Sequence, residues 1–306
     1  MTGESQWKND MKPKTIIGVD LGGTLARAGL VEDGRLGNVE TVAVHSGGTE
    51  VEVYDQIREL IERSANAKID GIGVGVPSMV DVERGIVYDV QNIPSWKQVP
   101  LKDKLEQQFG VPAYVNNDAN CFAVGEQFFG KGRTHRNIVG LIIGTGLGAG
   151  LIINERLFAG ATCAAGEFGM IPWNGQILEA SCSGQFFTLV HNTTGEQLFR
   201  DAIQGSRHAL DIYAEFGKNL GRAIEIILLS VDPDIIILGG SVSKSYQFFR
   251  DALWSSLAAF PYARTIERIR IEVSEVENIA ILGAAALFYD AMGAHHPLTG
   301  AANAAR

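Results

Sequence analysis

Short apolar runs and amphipathic segments alternate along this chain. Residues 69–76 are mostly apolar, end at Pro77 and predict a buried strand. Residues 50–65 instead place apolar side chains at helical spacing and predict an amphipathic helix. Its apolar positions are Val53, Ile57, Leu60 and Ile61. The chain therefore combines the two periodicities that an α/β protein needs.

The same order of elements is predicted in both halves of the chain. Three strands lead into helix, strand, helix, strand and helix, and the pattern begins again at Asn137. The later helices of the first half are predicted at 101–109 and 119–129, with a strand at 111–115. In the second half helices are predicted at 209–229, 244–259 and 282–292, and strands at 234–238 and 269–273. Two copies of a βββαβαβα unit predict two α/β lobes, each with helices flanking a mixed sheet, and a cleft between them.

A repeated motif supports the duplication. A Gly-Thr pair, an Ala-Gly-Leu triplet and an Arg-Leu pair occur twice, and each copy follows an apolar run. The first copy has Gly23-Thr24, Ala28-Gly29-Leu30 and Arg35-Leu36; the second has Gly144-Thr145, Ala149-Gly150-Leu151 and Arg156-Leu157. Glycine turns between strands also look alike by chance. Two such hairpins on facing lobes would hold a polyphosphate from both sides.

Composition narrows the classes of function. A chain of 306 residues is long enough for about two domains. Its net charge of −9 argues against nucleic acid or an anionic membrane as main partner. No apolar run approaches the ~20 residues of a membrane span, and the polar start lacks a signal core. Three cysteines at unrelated spacings suit a reducing cytoplasm. We expect a disordered leader at 1–11 and a mobile tail at 294–306.

The first glycine loop carries groups suited to a phosphate. Asp20 stands at a strand end, Gly22 and Gly23 form a tight turn, and the hydroxyl of Thr24 follows. Backbone N–H groups of such a turn can hold phosphate oxygens, and Asp20 can bind Mg²⁺ through water. A single Gly-Gly turn is also common in ordinary hairpins.

The second loop resembles two nucleotide motifs only loosely. Gly144, Gly146 and Ala149 match part of a dinucleotide-binding fingerprint, which must open a helix. The residues that follow, Leu151-Ile152-Ile153, predict a strand instead. A Walker loop also fails, because no Lys-Ser or Lys-Thr follows the glycines.

A third glycine pair, Gly239-Gly240, joins a predicted strand to a helix, with Ser241 or Ser243 as a candidate N-cap. It has two interpretations: a tight turn, or a flat wall for an adenine.

Several acidic and amide side chains suggest a polyol site. Residues 116–120 read Asn-Asn-Asp-Ala-Asn between a strand and a helix. Such residues commonly cap helices, yet an aspartate there is also held ionised by the helix dipole and suits a proton acceptor. Glu167 and Glu179 lie in glycine-rich or apolar stretches, and carboxylates that bind pairs of hydroxyls suit a carbohydrate.

Taken together, these motifs resemble the sugar kinases of the repressor–ORF–kinase (ROK) family, within the actin/hexokinase/Hsp70 ATPase superfamily. The matching segments follow the family's order from about Lys14 to Tyr289. They are Asp20-Leu-Gly-Gly-Thr24, Gly75-Val-Pro-Ser78, Asn92-Ile-Pro-Ser-Trp96, Asn117-Asp-Ala-Asn120, Gly144-Thr-Gly-Leu-Gly148, Gly166-Glu-Phe-Gly169, Leu178-Glu179 with Ser183-Gly184, and Gly239-Gly240.

The resemblance implies a fold of two ribonuclease-H-like lobes. We expect a small lobe at 12–118 plus 284–293 and a large lobe at 119–283. It implies Asp118 as general base and places Asn117, Asp118, Glu167 and Glu179 on the sugar. It assigns the phosphates of Mg²⁺-ATP to Asp20, Gly22, Gly23 and Thr24 and to Gly144, Thr145 and Gly146, with Gly240 near the adenine. Family members often form dimers, so a homodimer is expected.

The chain also departs from the family pattern. Met170 stands where a His that touches sugar and binds zinc is common. Residues 171–177 replace the usual zinc-binding cysteines and contain none, so no structural zinc is expected, because zinc needs about four Cys or His ligands.

The expected activity is transfer of the γ-phosphate of ATP to the 6-hydroxyl of a hexose, with glucose as first choice. A fructokinase, a mannose kinase or an N-acetylhexosamine kinase remains open. Two other classes are less favoured: a sugar-sensing transcriptional regulator, for which only a short polar segment precedes the first strand, and a nucleotide-driven chaperone or filament protein.

Overall fold

A computed structural model describes residues 14–293 of the chain. Within this range the chain divides into two compact units, which comprise 14–136, 150–165 and 275–293, and 137–149 and 166–274. The leader expected at 1–11 and the tail expected at 294–306 lie outside the described residues. No helix of the described range is long and apolar enough to cross a membrane.

The first unit is built on a five-stranded sheet with the order β3-β2-β1-β4-β8. A three-stranded sheet, β5-β6-β7, follows β4 in the chain. The strands are β1 (Thr15–Leu21), β2 (Leu25–Glu32), β3 (Arg35–Ala43), β4 (Gly71–Val76), β5 (Met79–Asp81), β6 (Ile86–Tyr88), β7 (Gln98–Pro100) and β8 (Ala113–Asn117). The helices are α1 (Glu50–Ser64), α2 (Leu101–Phe109) and α3 (Asp118–Phe129), joined by the late helix α9 (Ile279–Ala291).

Local sequence explains why these elements begin where they do. Thr49 and Glu52 form a reciprocal capping box at the start of α1, which satisfies N–H groups that a helix start leaves unpaired. The apolar face of α1 buries Val53, Ile57 and Leu60 in the core, and the helix packs mainly against β2 and β3. Gly110 closes α2 in a left-handed conformation, which glycine adopts at little cost.

The register of the sheet brings three strand ends together. β1 pairs in parallel with β4, opposing Asp20 to Gly75, and β4 pairs in parallel with β8, opposing Gly75 to Asn116. Carboxyl ends of parallel strands are the edge at which α/β sheets bind ligands. The segments 20–24 and 116–118 therefore leave the same edge of this sheet.

A second five-stranded sheet repeats the strand order of the first, with the order β11-β10-β9-β14-β15, and a short hairpin, β12-β13, forms a separate sheet. Strands β9, β14 and β15 belong to the second unit, whereas residues 150–165, which include β11 and most of β10, are grouped with the first unit. The strands are β9 (Ile138–Ile143), β10 (Leu147–Ile153), β11 (Arg156–Leu157), β12 (Pro172–Trp173), β13 (Gln176–Ile177), β14 (Ile235–Gly239) and β15 (Arg270–Val273). The helices are α4 (Leu178–Cys182), α5 (Gly195–Ile203), α6 (Arg207–Val231), α7 (Tyr246–Leu257) and α8 (Ala263–Arg268). This shared order of strands confirms the α/β fold class and the duplication.

The borders of the units differ from the expected borders at 118/119 and 283/284. Helix α3 belongs to the first unit, as do residues 150–165 and 275–293. The reason is close backbone packing: a Cβ at Gly283 in α9 would lie 1.9 Å from the carbonyl oxygen of Cys121 in α3. Two helices in such contact must belong to one body.

Candidate active site

The first glycine loop is the tight turn that joins β1 to β2. Gly22 N–H donates to the carbonyl of Leu25 at 2.9 Å, which closes the turn. A Cβ at Gly23 would lie 2.4 Å from Cβ of Asn92, so only glycine fits beneath that side chain. Thr24 is exposed at the tip of the turn. The loop thus presents small residues and one free-standing hydroxyl to solvent.

Asp20, at the end of β1, forms an ion pair with Arg27 on β2. Both contacts of Arg27 fall on Oδ2 of the carboxylate, with Nη2 at 2.6 Å and Nε at 3.2 Å. The two residues oppose each other across the β1-β2 pair. Because the ion pair uses one oxygen, the other oxygen of Asp20 is not engaged by it.

This arrangement fits a magnesium ion bound mainly by substrate. Mg²⁺ prefers one or two protein carboxylates, several waters and phosphate oxygens over a full protein cage. Among the described residues no group of three or more His, Cys, Asp and Glu side chains could hold a metal. A single carboxylate at Asp20 is compatible with that mode of binding.

Asn117 and Asp118 mark the junction between β8 and α3. The side chain of Asn117 caps the helix by accepting from the N–H of Ala119 at 2.9 Å, and its amide donates to the carbonyl of Ser78 at 3.2 Å. The N–H of Ala119 also donates to Oδ1 of Asp118 at 2.8 Å. The carboxylate of Asp118 is therefore in the first turn of a helix, where the dipole favours negative charge.

A buried amide cluster holds this junction from below. Asn116 is buried, and its Oδ1 accepts from the N–H of Asn117 at 2.8 Å and from Nδ2 of Asn120 at 2.9 Å. The thiol of Cys163 donates to the same oxygen at 3.4 Å. The Asx-rich segment thus serves both as a helix cap and as a support for Asp118.

Asp20 and Asp118 act on one buried thiol. Burial raises the pKa of Cys121 well above its ordinary value, and the charges of Asp118 and then Asp20 raise it further. Geometry agrees with this, because Asp20 opposes Gly75 across the β1-β4 pair. A Cβ at Gly75 would lie 3.0 Å from Sγ of Cys121 and 3.8 Å from Cα of Asp118. The structure therefore places both Asp20 and Asp118 beside Gly75 in the first unit.

In the second unit, Glu179 is tied to the second glycine loop. Its Oε2 accepts from the N–H of Leu147 at 2.9 Å, and its Oε1 accepts from Nε2 of Gln185 at 2.7 Å. A Cβ at Gly146 would lie 2.6 Å from Oε2. Glycine at 146 is what allows the carboxylate to reach the backbone. The loop is also closed by the N–H of Gly144, which donates to the carbonyl of Gly146 at 3.0 Å.

Glu167 is the second carboxylate of this unit. It directly precedes a short 3₁₀ turn, Phe168–Met170, and the residue as a whole is exposed. Partial withdrawal of its carboxyl group from water raises its pKa, and the nearby charge of Glu179 raises it further. The segment that follows Glu167 also lies against Glu179, because a Cβ at Gly169 would lie 3.4 Å from Cβ of Glu179.

A pocket of about 470 Å³ lies against the second glycine loop. Gly144 and Thr145 form part of its wall, and Gly184 and Gln185 continue it. The rest of the lining is Phe187, Thr188, Gly195, Glu196, Phe199, Tyr213, Ser241, Val242, Lys244 and Ser245. A mostly apolar pocket with a few polar groups, next to a glycine loop, has the character of a nucleoside site.

Gly240 forms the turn next to this wall but does not itself line the pocket. It has a φ of +83°, and a Cβ there would lie 2.4 Å from the carbonyl oxygen of Ile143. Ser243 donates to the carbonyl of Gly240 at 2.8 Å and fixes the turn. The lining residues begin at Ser241, one position later.

Sequence reasoning missed most of the pocket wall. Phe187 and Thr188 lie on a π-helix, Phe186–Val190, and Glu196 and Phe199 lie on α5. Neither element was predicted. Gln185 directly follows the Ser183-Gly184 pair that matches the family pattern, so that pair was the available signal.

The segment after Glu167 differs from a zinc module. Met170 is 59% exposed, and residues 172–177 form a hairpin whose turn residues, Asn174 and Gly175, both have positive φ. Such a turn joins two strands without any metal. The absence of zinc stays a prediction, for which metal analysis of the purified protein is the measurement.

Comparison with known proteins places these residues in a family context. The family model described as "ROK family" matches residues 16–291. A glucokinase of Thermotoga maritima is 32% identical over 311 residues, covering 91% of this chain and 98% of that protein. A xylose repressor of Caldicellulosiruptor bescii is 27% identical over 307 residues, covering 88% of this chain and 76% of that protein.

Solved structures agree in fold. A ROK family glucokinase from Streptomyces griseus, in complex with glucose and AMPPNP, superposes with a TM-score of 0.73 at 28% identity, covering 89% of this chain and 98% of that chain. The family match spans nearly the whole described range. This chain is a member of the ROK family.

Proposed function

We propose that this protein is an ATP-dependent hexose kinase, which transfers the γ-phosphate of ATP to the 6-hydroxyl of a hexose, with glucose as the preferred acceptor. The observation that carries the proposal is the glycine loop at 144–146 that lines a nucleoside-sized pocket in the second unit. The first unit supplies a candidate base, Asp118, at a helix start. Support comes from the glucokinase of T. maritima and from the S. griseus enzyme, whose structure holds glucose and a nucleotide analogue.

In this proposal the second unit binds the nucleotide. The adenosine occupies the 470 Å³ pocket, and its phosphates meet the backbone of Gly144, Thr145 and Gly146. The residues of the first loop, Asp20, Gly22, Gly23 and Thr24, act on the phosphates as well. Phosphoryl transfer asks a protein mainly for positioning and for donors that neutralise charge, which backbone N–H groups supply.

Asp118 acts as the general base. Its carboxylate accepts the proton of the sugar hydroxyl as that oxygen attacks the γ-phosphorus and the bond to the β–γ bridging oxygen breaks. The cap by Asn117 and the helix start hold the carboxylate in place and favour its ionised form. Asn117, Glu167 and Glu179 bind the other hydroxyls of the sugar.

Magnesium fits beside Asp20, which would hold it through water. When bound, the ion neutralises charge on the phosphoryl oxygens. Arg27 stays paired with Asp20 and limits the net negative charge of the loop.

The test is a coupled kinase assay over a panel of hexoses with ATP and Mg²⁺. We expect glucose to be phosphorylated fastest, with product carrying phosphate on O6 by NMR. Fructose, mannose and N-acetylhexosamines are the alternatives, because Met170 offers no hydrogen bond where relatives commonly have a His. Absence of phosphorylation of every hexose would contradict the proposal.

A sugar-sensing regulator is the second candidate, favoured by the resemblance to a xylose repressor. The charge of −9 speaks against it. A gel-shift assay with genomic DNA fragments distinguishes the regulator from the kinase, because only a regulator should bind a fragment and slow its migration. We also propose a homodimer, which light scattering on the purified protein tests.

A further inference from the structure

Glu179 and Gln185 link two parts of the second unit that the proposed function assigns to different substrates. Glu179 belongs to the sugar site, whereas Gln185 lines the nucleotide pocket. Their side chains meet at 2.7 Å between Oε1 and Nε2. Both residues are half-buried.

Gln185 also contacts the phosphate loop. Its Nε2 donates to the carbonyl of Thr145 at 3.4 Å in addition to Glu179. An amide nitrogen carries two hydrogens, so both bonds can exist together. The side chain of Gln185 therefore spans from the carboxylate of Glu179 to the backbone of the loop.

Glu179 reaches the same loop from its other oxygen. Oε2 accepts from the N–H of Leu147 at 2.9 Å, directly over Gly146. The backbone of 144–147 is thus fixed at two points by one pair of side chains. A third tie is the N–H of Gly184, which donates to the carbonyl of Gly144 at 2.7 Å.

We propose that the Glu179–Gln185 pair couples the two substrates, with Gln185 as a positioning residue that transmits sugar binding to the phosphate loop. The inference rests on the proposed function. A sugar hydroxyl on Glu179 orders its carboxylate, which orders Gln185 and the backbone of Thr145 and Leu147. The loop then meets the nucleotide already in its binding geometry, which reduces the ordering that nucleotide binding must otherwise impose.

Coupling of this kind is reciprocal, so the nucleotide must raise sugar affinity by the same factor. Coupling factors between two ligands are typically about 5–150-fold. We therefore expect saturating glucose to tighten AMPPNP binding by at least about fivefold in the unaltered protein.

The experiment is calorimetric titration of the full chain with AMPPNP and Mg²⁺, with and without saturating glucose. Gln185→Met keeps the length of the side chain but removes both donors. We expect its ratio of nucleotide affinities with and without glucose to fall to within about twofold of one, well below the coupling range. Its melting temperature by circular dichroism reports whether it folds.

The matched control is Lys244→Met, which alters the same pocket on a different segment, the 3₁₀ turn Val242–Ser245. It is expected to weaken nucleotide binding in both conditions and to keep the ratio. This control separates coupling from direct contact with the nucleotide.

Two results would overturn the coupling and leave the kinase assignment intact. In the first, the unaltered protein binds glucose but its ratio of nucleotide affinities with and without glucose is one. In the second, Gln185→Met has the same ratio as the unaltered protein. Failure of the unaltered protein to bind glucose would contradict the proposed function itself, and the coupling with it.

Discussion

Replacement of Asp118 by Asn is the sharpest test of the proposed chemistry. Asn is nearly the same size and keeps an oxygen at the position where Oδ1 accepts from the N–H of Ala119. The helix also keeps its cap, because that cap is the side chain of Asn117. The substitution therefore removes the charge and the basicity with little change in structure.

The expected effects on turnover and on stability differ greatly in size. A positioned general base contributes typically ~10²–10⁴-fold to the rate, which corresponds to about 3–5 kcal/mol in the activation free energy. The lost interaction with the helix dipole amounts to about 0.3–1 kcal/mol of unfolding free energy. For a domain of this size that lowers the melting temperature by a few degrees, about 4 °C at most.

The assay measures kcat for ATP-dependent phosphorylation of glucose, the glucose Kd by calorimetry and the melting temperature. We expect kcat to fall by at least about 100-fold, while glucose still binds. Asp103→Asn is the matched control, because Asp103 also lies in the first turn of a helix, in α2, and is exposed. It should lose a similar small amount of stability and keep full turnover.

A variant Asp118→Asn that retains turnover within about tenfold of the unaltered protein would refute the role of general base, because the expected range begins at about 100-fold. Loss of folding in Asp118→Asn, but not in Asp103→Asn, would instead assign Asp118 to the structure of the junction. Both results contradict the mechanism proposed above.

Three further predictions use the second unit and the cysteines. Gly146→Ala places a Cβ 2.6 Å from Oε2 of Glu179, which breaks the hydrogen bond that this oxygen accepts from the N–H of Leu147. We expect kcat/KM, measured by steady-state kinetics, to fall at least about tenfold. Glu167→Gln removes a carboxyl group whose pKa is raised in the folded state. Because folding disfavours its ionisation, the unaltered protein loses stability as the pH rises through that pKa. The variant should therefore have a melting temperature at pH 7 no lower than that of the unaltered protein, and it should bind glucose more weakly. Burial raises the pKa of Cys182 to about 12, so at pH 8 only about 10⁻⁴ of that thiol is ionised, and a thiol reagent should label all three cysteines only after unfolding.

The central strands of both main sheets could be predicted, because β1, β4, β9 and β14 are largely apolar runs. Strand β4 and the helix at 101–109 were predicted within two residues or better, and the repeated Gly-Thr motif indicated the duplicated strand order. The small sheet β5-β6-β7 escaped prediction. Each of its strands has three residues, which is too short for a period of two to be recognised.

Part of the candidate site could likewise be predicted, and part could not. Asp20, Asp118 and the Gly-Thr loops were found because their spacing relative to predicted strands carries information. The wall of the pocket was missed because it combines residues from four separate elements, including the π-helix at 186–190. Only the packing of those elements makes Gln185 and Tyr213 neighbours of one cavity, and no local pattern records that packing.

The last helix has a consequence for biosynthesis. Helix α9 lies against β1 and β4 so closely that a Cβ at Gly18 or Gly73 would sit 2.1 Å from the carbonyl of Ile281 or 1.8 Å from that of Ala284. The core around β1 and β4 therefore closes only with residues 279–291, which the ribosome adds after the whole of the second unit. Until then the nascent chain exposes apolar surface of β1 and β4, so that a nonsense codon shortly before residue 279 would leave the amino-terminal unit without its cover and mark the product for degradation.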